Sequence, residues 1–124
     1  MSKGSLIALA VIVLGILCAF LGYKMHDRVK ASEAARADAQ VLLELTERYG
    51  ADPVYVEDLI DTCHAQAFDA TYKGGVLSPS ELNEQDYQAE LVALMLERAT
   101  ADNNANAIAS LQGLLDGHYR HFRR

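Results

Sequence analysis

The chain opens on one unbroken apolar run and then changes to a pattern of apolar positions three and four apart. Leu6 to Tyr23 reads LIALAVIVLGILCAFLGY, eighteen positions without a charge. With Ser5 the run becomes a helix of about 28 Å at 1.5 Å per residue, matched to a hydrocarbon layer of ~30 Å. A continuous helix bonds every backbone amide internally, as such a layer demands. Lys3 on one side and Tyr23-Lys24 on the other supply polar and interfacial ends. The pattern predicts an uncleaved, single-pass signal-anchor over 5–23, after a short tail over 1–4. A cleaved leader needs small residues before the cut. Neither Phe20-Leu21-Gly22 nor Tyr23-Lys24-Met25 has that pattern, and Leu17 stands where a lipoprotein signal at Cys18 needs a small residue. Gly4, Ala8, Gly15, Ala19 and Gly22 fall on roughly one side of this helix, a strip suited to close packing against another helix in lipid.

Beyond the run, helical spacing continues to Tyr49 without a breaker. KASEAARADAQ is alanine-rich and charged, so it favours helix but has little to bury, and 24–49 reads as a stem. Ala35, Ala39, Leu42, Leu45 and Tyr49 then mark one face, and Gly50 suits a C-terminal cap. Asp52-Pro53 is a helix start, with Val56, Leu59, Ile60, Cys63 and Ala67 as its buried stripe and Lys73-Gly74-Gly75 as its end. Ser78-Pro79-Ser80-Glu81 predicts a capping box opening a third helix that runs to about Thr100 and buries Leu82, Ala89, Leu91, Val92, Met95 and Leu96. Asp102-Asn103-Asn104 favours a turn, and Ile108, Leu111, Leu114, Leu115 and Phe122 give a last helix its apolar side. The expected fold is all-α: the anchor, the stem, and a small antiparallel helical bundle over 50–124.

Charge narrows the functional classes. Between Asp52 and Asp116 stand twelve carboxylates, opposed there only by Lys73 and Arg98. Such a body repels nucleic-acid backbones and anionic lipid, so no nucleic-acid role is expected. Lys24, Arg28 and Lys30 outnumber Lys3 and the terminal amine, which places the bundle on the cytoplasmic side of a bacterial-type inner membrane, by a margin of one charge. Cys18 and Cys63 are too far apart in the plan to pair.

Candidate chemistry is sparse. Asp69, Thr71, Lys73, Gly74 and Val76 have offsets of a calcium loop, but a lysine holds a ligand position and Glu81 comes one residue late; a helix end followed by a loop accounts for them. His118 and His121 are three apart and His64 follows Cys63, without a third ligand at recognisable spacing. No nucleophile motif, phosphate loop or haem site is present. No enzyme activity, cofactor, metal or small-molecule substrate is therefore expected. Arg120, Arg123 and Arg124 complement the negative end of the last helix or contact headgroups or an acidic partner.

The stretch from Cys63 to Leu94, through its lone cysteine, Ser78-Pro79 and Glu84-Gln85-Asp86-Tyr87, resembles the distal part of the Rz-like inner-membrane spanins of bacteriophages. The resemblance implies a periplasmic helical domain acting in host lysis, with Cys63 bridging two copies. Gly50-Ala51-Asp52-Pro53 and Gly74-Gly75 interrupt the long rod of that family. The leading expectation is a non-enzymatic accessory or scaffold protein that docks a protein partner, or a second copy of itself, at the bilayer.

Overall fold

The computed structural model describes residues 3–74, 79–117 and 119. Among the described residues five helices follow in order: α1 (Lys3–Asp38), α2 (Val41–Glu47), α3 (Pro53–Thr71), α4 (Glu84–Ala101) and α5 (Ala105–Gly117). Among the described residues no strand occurs; one antiparallel bridge joins Lys73 and Glu81.

The 36-residue α1 has two environments. Its N-terminal portion, including Leu6, Ile7, Val11, Ile12, Leu14, Ile16 and Phe20, is exposed; it is long and apolar enough to cross a membrane. Its C-terminal portion does not stand apart as a solvated stem. It lies along α3 and buries Ala35, with Ala31 partly covered. The alanines that raise helix propensity also let two helix backbones come close, a role that propensity does not reveal.

The expected continuity to Tyr49 fails at one point. At Ala39-Gln40 the chain makes a tight turn: the N–H groups of Gln40, Leu42 and Leu43 donate to carbonyls three residues back, at 3.0–3.2 Å. Gln40 keeps helical dihedrals and no glycine or proline marks the place. A three-residue hydrogen-bond step leaves no sequence signature of its own. Buried Ala39 and Leu42 flank it, so tertiary packing holds the turn. Of the face expected further on, Leu45 is half-buried and Tyr49 is exposed.

Gly50 ends α2 as expected. Its φ of 89° is left-handed, its N–H donates to Glu47 O, and Ala51 N–H donates to Thr46 O at 3.1 Å, the reciprocal pattern of a Schellman cap. Asp52 then caps α3, its side chain accepting from Val54 N–H at 3.1 Å with Pro53 in the first turn. Val56, Leu59, Ile60, Cys63 and Ala67 are all buried, joined by Phe68.

The start of α4 is a correction. Pro79 to Leu82 precede the helix, and Asn83 caps it by accepting from Asp86 N–H at 3.1 Å. Lys73 and Glu81 each donate an N–H to the other's carbonyl, at 2.8 and 2.6 Å, so Glu81 belongs to a pinched connection and cannot close a capping box. Leu82 therefore covers the core from outside the helix. Ser78, the other half of that box, lies outside the described residues, as do His118, Phe122 and the three terminal arginines.

Within α4, Ala89, Leu91, Val92 and Met95 are buried as expected, with Tyr87 and Ala99 in addition, while Leu96 is only partly covered. Asn103 (φ 57°) ends α4 with the same reciprocal bonding as Gly50, and the Asn104 side chain caps α5 by accepting from Ala107 N–H. In α5, Leu111, Leu114 and Leu115 are buried and Ile108 half-buried. Buried Thr46 and Ser110 donate to the carbonyls of Leu42 and Asn106, four residues back, which removes the cost of their hydroxyls. The most extensive packing is α3 on α4, then α4 on α5, with α1 and α2 closing the sides.

Candidate functional site

Polar side chains concentrate where α1 crosses α3. Three layers join the helices: Arg28 with Asp69, Ser32 with His64, and Arg36 with Asp61. One set of numbers rises as the other falls, so the helices are antiparallel. On α1 the three residues are four apart and share one face, while on α3 Asp61 and His64 are three apart and Asp69 follows five residues further on.

The middle layer reaches a third helix. Ser32 Oγ lies 2.8 Å from His64 Nε2, and His64 Nδ1 lies 2.6 Å from Tyr87 Oη on α4. The imidazole meets the Tyr87 ring edge-on at 5.6 Å and leans over Phe68 at 6.0 Å. Tyr87 is 1% exposed, so its hydroxyl needs an internal partner, and His64 provides it.

Burial sets the electrostatics. It pushes the His64 pKa below the usual range, helped by the Arg36 charge and opposed by Asp61 and Asp69. It pushes the Tyr87 phenol up to about 12. At neutral pH the ring is thus uncharged between two neutral hydroxyls, and either tautomer satisfies both contacts. An open groove of about 640 Å³ lies alongside, lined by Ser32, Arg36, Asp61 and His64 among others. Serine, imidazole and phenol in series are the parts of a base-activated nucleophile. Ser32, however, lies inside α1, where neighbouring backbone N–H groups are taken up by the helix, so its own turn offers no donors for an oxyanion. The arrangement serves as a polar tie across three helices.

The other candidate residues are dispersed. Gly4, Ala8, Gly15, Ala19 and Gly22 all lie on α1 and are exposed; a Cβ placed on Gly4, Gly15 or Gly22 meets nothing within 4 Å. Arg120, Arg123 and Arg124, with His118 and His121, lie outside the described residues. Among the described residues no three His, Cys, Asp or Glu side chains gather in metal-binding proximity. Asp69 and Thr71 belong to α3, the first paired with Arg28 and the second donating to Ala67 O. Cys63 is buried in the core, and burial raises its thiol pKa.

Ser32 and Tyr87 escaped the sequence reading. Ser32 continues the Ala35, Ala39 and Leu42 face one turn back, so a polar residue in an apolar stripe was the available signal. For Tyr87 there was none, because its partner is 23 residues away. No protein family, curated protein or solved structure matches this chain.

Proposed function

We propose that this protein is a single-pass, membrane-anchored, non-enzymatic docking module, with its acidic bundle on the cytoplasmic side of a bacterial-type inner membrane. The observation that carries this reading is α1 itself. An exposed apolar helix continues without a loop into the helix that the bundle grips. Left in water, its exposed apolar area would cost about 25 cal/mol per Å², so a lipid or protein cover is required. Bilayer dimensions suit its length. The small residues Gly4, Ala8, Gly15, Ala19 and Gly22 then offer a strip for a neighbouring membrane helix.

The docking half rests on charge. Of the twelve carboxylates between Asp52 and Asp116, all but half-buried Glu90 are exposed, a surface suited to a basic partner. The core-facing Cys63 and the folded-back helices support this reading over the spanin resemblance, which needs a cysteine that meets its copy.

Carbonate extraction of membranes holding the full chain tests the tether. Retention in the pellet is expected, whereas release into the supernatant overturns it. Photo-crosslinking from exposed Ala93 and Ala101 in the same membranes tests docking. Discrete adducts that weaken with salt are expected; monomer alone at both positions sinks the docking claim. A cysteine at exposed Ala70, with Cys18 and Cys63 replaced, reports the side, since Cys63 itself is covered.

A further inference from the structure

The membrane-proximal end of the bundle carries a cavity that the three-helix tie does not use. It has a volume of about 220 Å³ and is lined by Leu21, Lys24, Met25 and Arg28 from α1 and by Tyr72, Gly74 and Ser80 from the pinched connection. The α1 residues are spaced three and four apart, so one stripe of the helix faces the cavity. Its wall changes from apolar to cationic in a single turn.

Arg28 is held in place. Its guanidinium lies 5.8 Å from the Phe68 ring centroid and 5.5 Å from that of Tyr72, and those rings stack at 4.9 Å. Asp69 takes one edge of the guanidinium. Lys24 lies over Phe20 at 5.8 Å. Gly74 lets the connection close in: a Cβ there would lie 3.2 Å from Ser80 Cα, Ser80 Oγ and the Tyr72 ring.

Height decides what this cavity would meet. The apolar run ends at Tyr23, so Lys24 to Arg28 fall within roughly 7 Å of the hydrocarbon edge along a helix. The headgroup layer on each side of a bilayer is about that thick. We propose that the cavity binds the phosphate of an anionic phospholipid, with Lys24 and Arg28 facing the charge, Ser80 and Tyr72 supplying hydroxyls, and Leu21 and Met25 contacting the upper acyl chain. The proposal rests on the membrane-anchored reading. It also gives the bundle an orientation, with Lys24 and Arg28 toward the headgroups and Asp69 bracing Arg28 from the bundle side.

The test places the full chain in phosphatidylcholine nanodiscs containing either spin-labelled phosphatidylglycerol or spin-labelled phosphatidylcholine and measures the motionally restricted fraction. Wild type is expected to prefer phosphatidylglycerol about fivefold or more, the scale of one cation near an anionic surface. Lys24→Gln/Arg28→Gln should lose that preference, and Lys24→Gln alone, which leaves the Arg28–Asp69 pair intact, should lose most of it. Lys30→Gln removes the same charge outside the cavity and should keep the preference within about twofold. Equal preference in wild type and the Lys24 variants, or equal loss in Lys30→Gln, overturns the site. Abolition of the preference by inorganic phosphate overturns the lipid assignment in favour of a soluble phosphate. Failure of the chain to enter nanodiscs at all overturns the anchor instead, and this proposal with it.

Discussion

His64 makes the bundle's stability depend on pH. Its folded pKa lies below the ordinary value, mainly through burial, so the unfolded chain binds the proton more readily. Stability is therefore fully present above the unfolded pKa of about 6.5 and is lost as pH falls through the folded value. Urea denaturation at a series of pH values should show a midpoint that drops on acidification. His64→Gln should remove much of that slope and cost about 1 kcal/mol at neutral pH through weakened contacts to Ser32 and Tyr87. An unchanged slope would show that the ring does not report on folding. The phenols behave oppositely. Tyr87 by burial, and Tyr55 by burial and its 2.7 Å bond to Asp102, are both raised to about 12. The stabilisation they bring is present below the unfolded phenol pKa and lost as pH rises through about 12. Asp102→Asn should bring one tyrosine back toward the ordinary range in a spectrophotometric titration, and Tyr87 should not follow.

At the level of elements, the caps separate what local sequence dictates from what packing dictates. Gly50 occupies left-handed backbone, so Gly50→Ala should destabilise by about 1–2 kcal/mol. Asn103, with φ also positive, tolerates that region better than most residues, and Asn103→Gly should stabilise slightly in thermal melts. Gly50, Asp52-Pro53 and the Val56 to Ala67 stripe were legible because each signal lies within one or two turns. The α4 start was not. A good proline and glutamate at 79 and 81 lose to the Lys73–Glu81 bridge, a pairing decided eight residues away, and Asn83 caps instead. The tight turn at Ala39-Gln40 was illegible for a similar reason, since residues of ordinary helix preference are bent there by what they pack against. The Ser32–His64–Tyr87 tie joins three helices over separations of 32 and 23 residues, and no periodicity reports such a meeting.

For the whole molecule, one contiguous core runs from Ala35 to Tyr119, and Leu91, Val92 and Met95 on α4 are fully buried within it. Met95→Ala should cost about 2–5 kcal/mol, a large share of the stability of so small a domain, and should be visible as a marked loss in urea midpoint. Cys63 shares that core, so an aqueous thiol reagent should modify it only as fast as the bundle opens, with urea restoring the full rate. Rapid labelling in native buffer would contradict the packing.

The absence of any loop between the apolar end of α1 and the part gripped by α3 has a rotational consequence. Each residue of an α-helix turns the chain by about 100°, so the azimuth at which the bundle faces its surroundings is set by the number of residues between Gly22 and Arg28. One inserted alanine there should swing the acidic surface about a quarter turn and more, while seven should return it within about 20°. Whatever clasps the bare end of this rod, some 54 Å long, also aims its head.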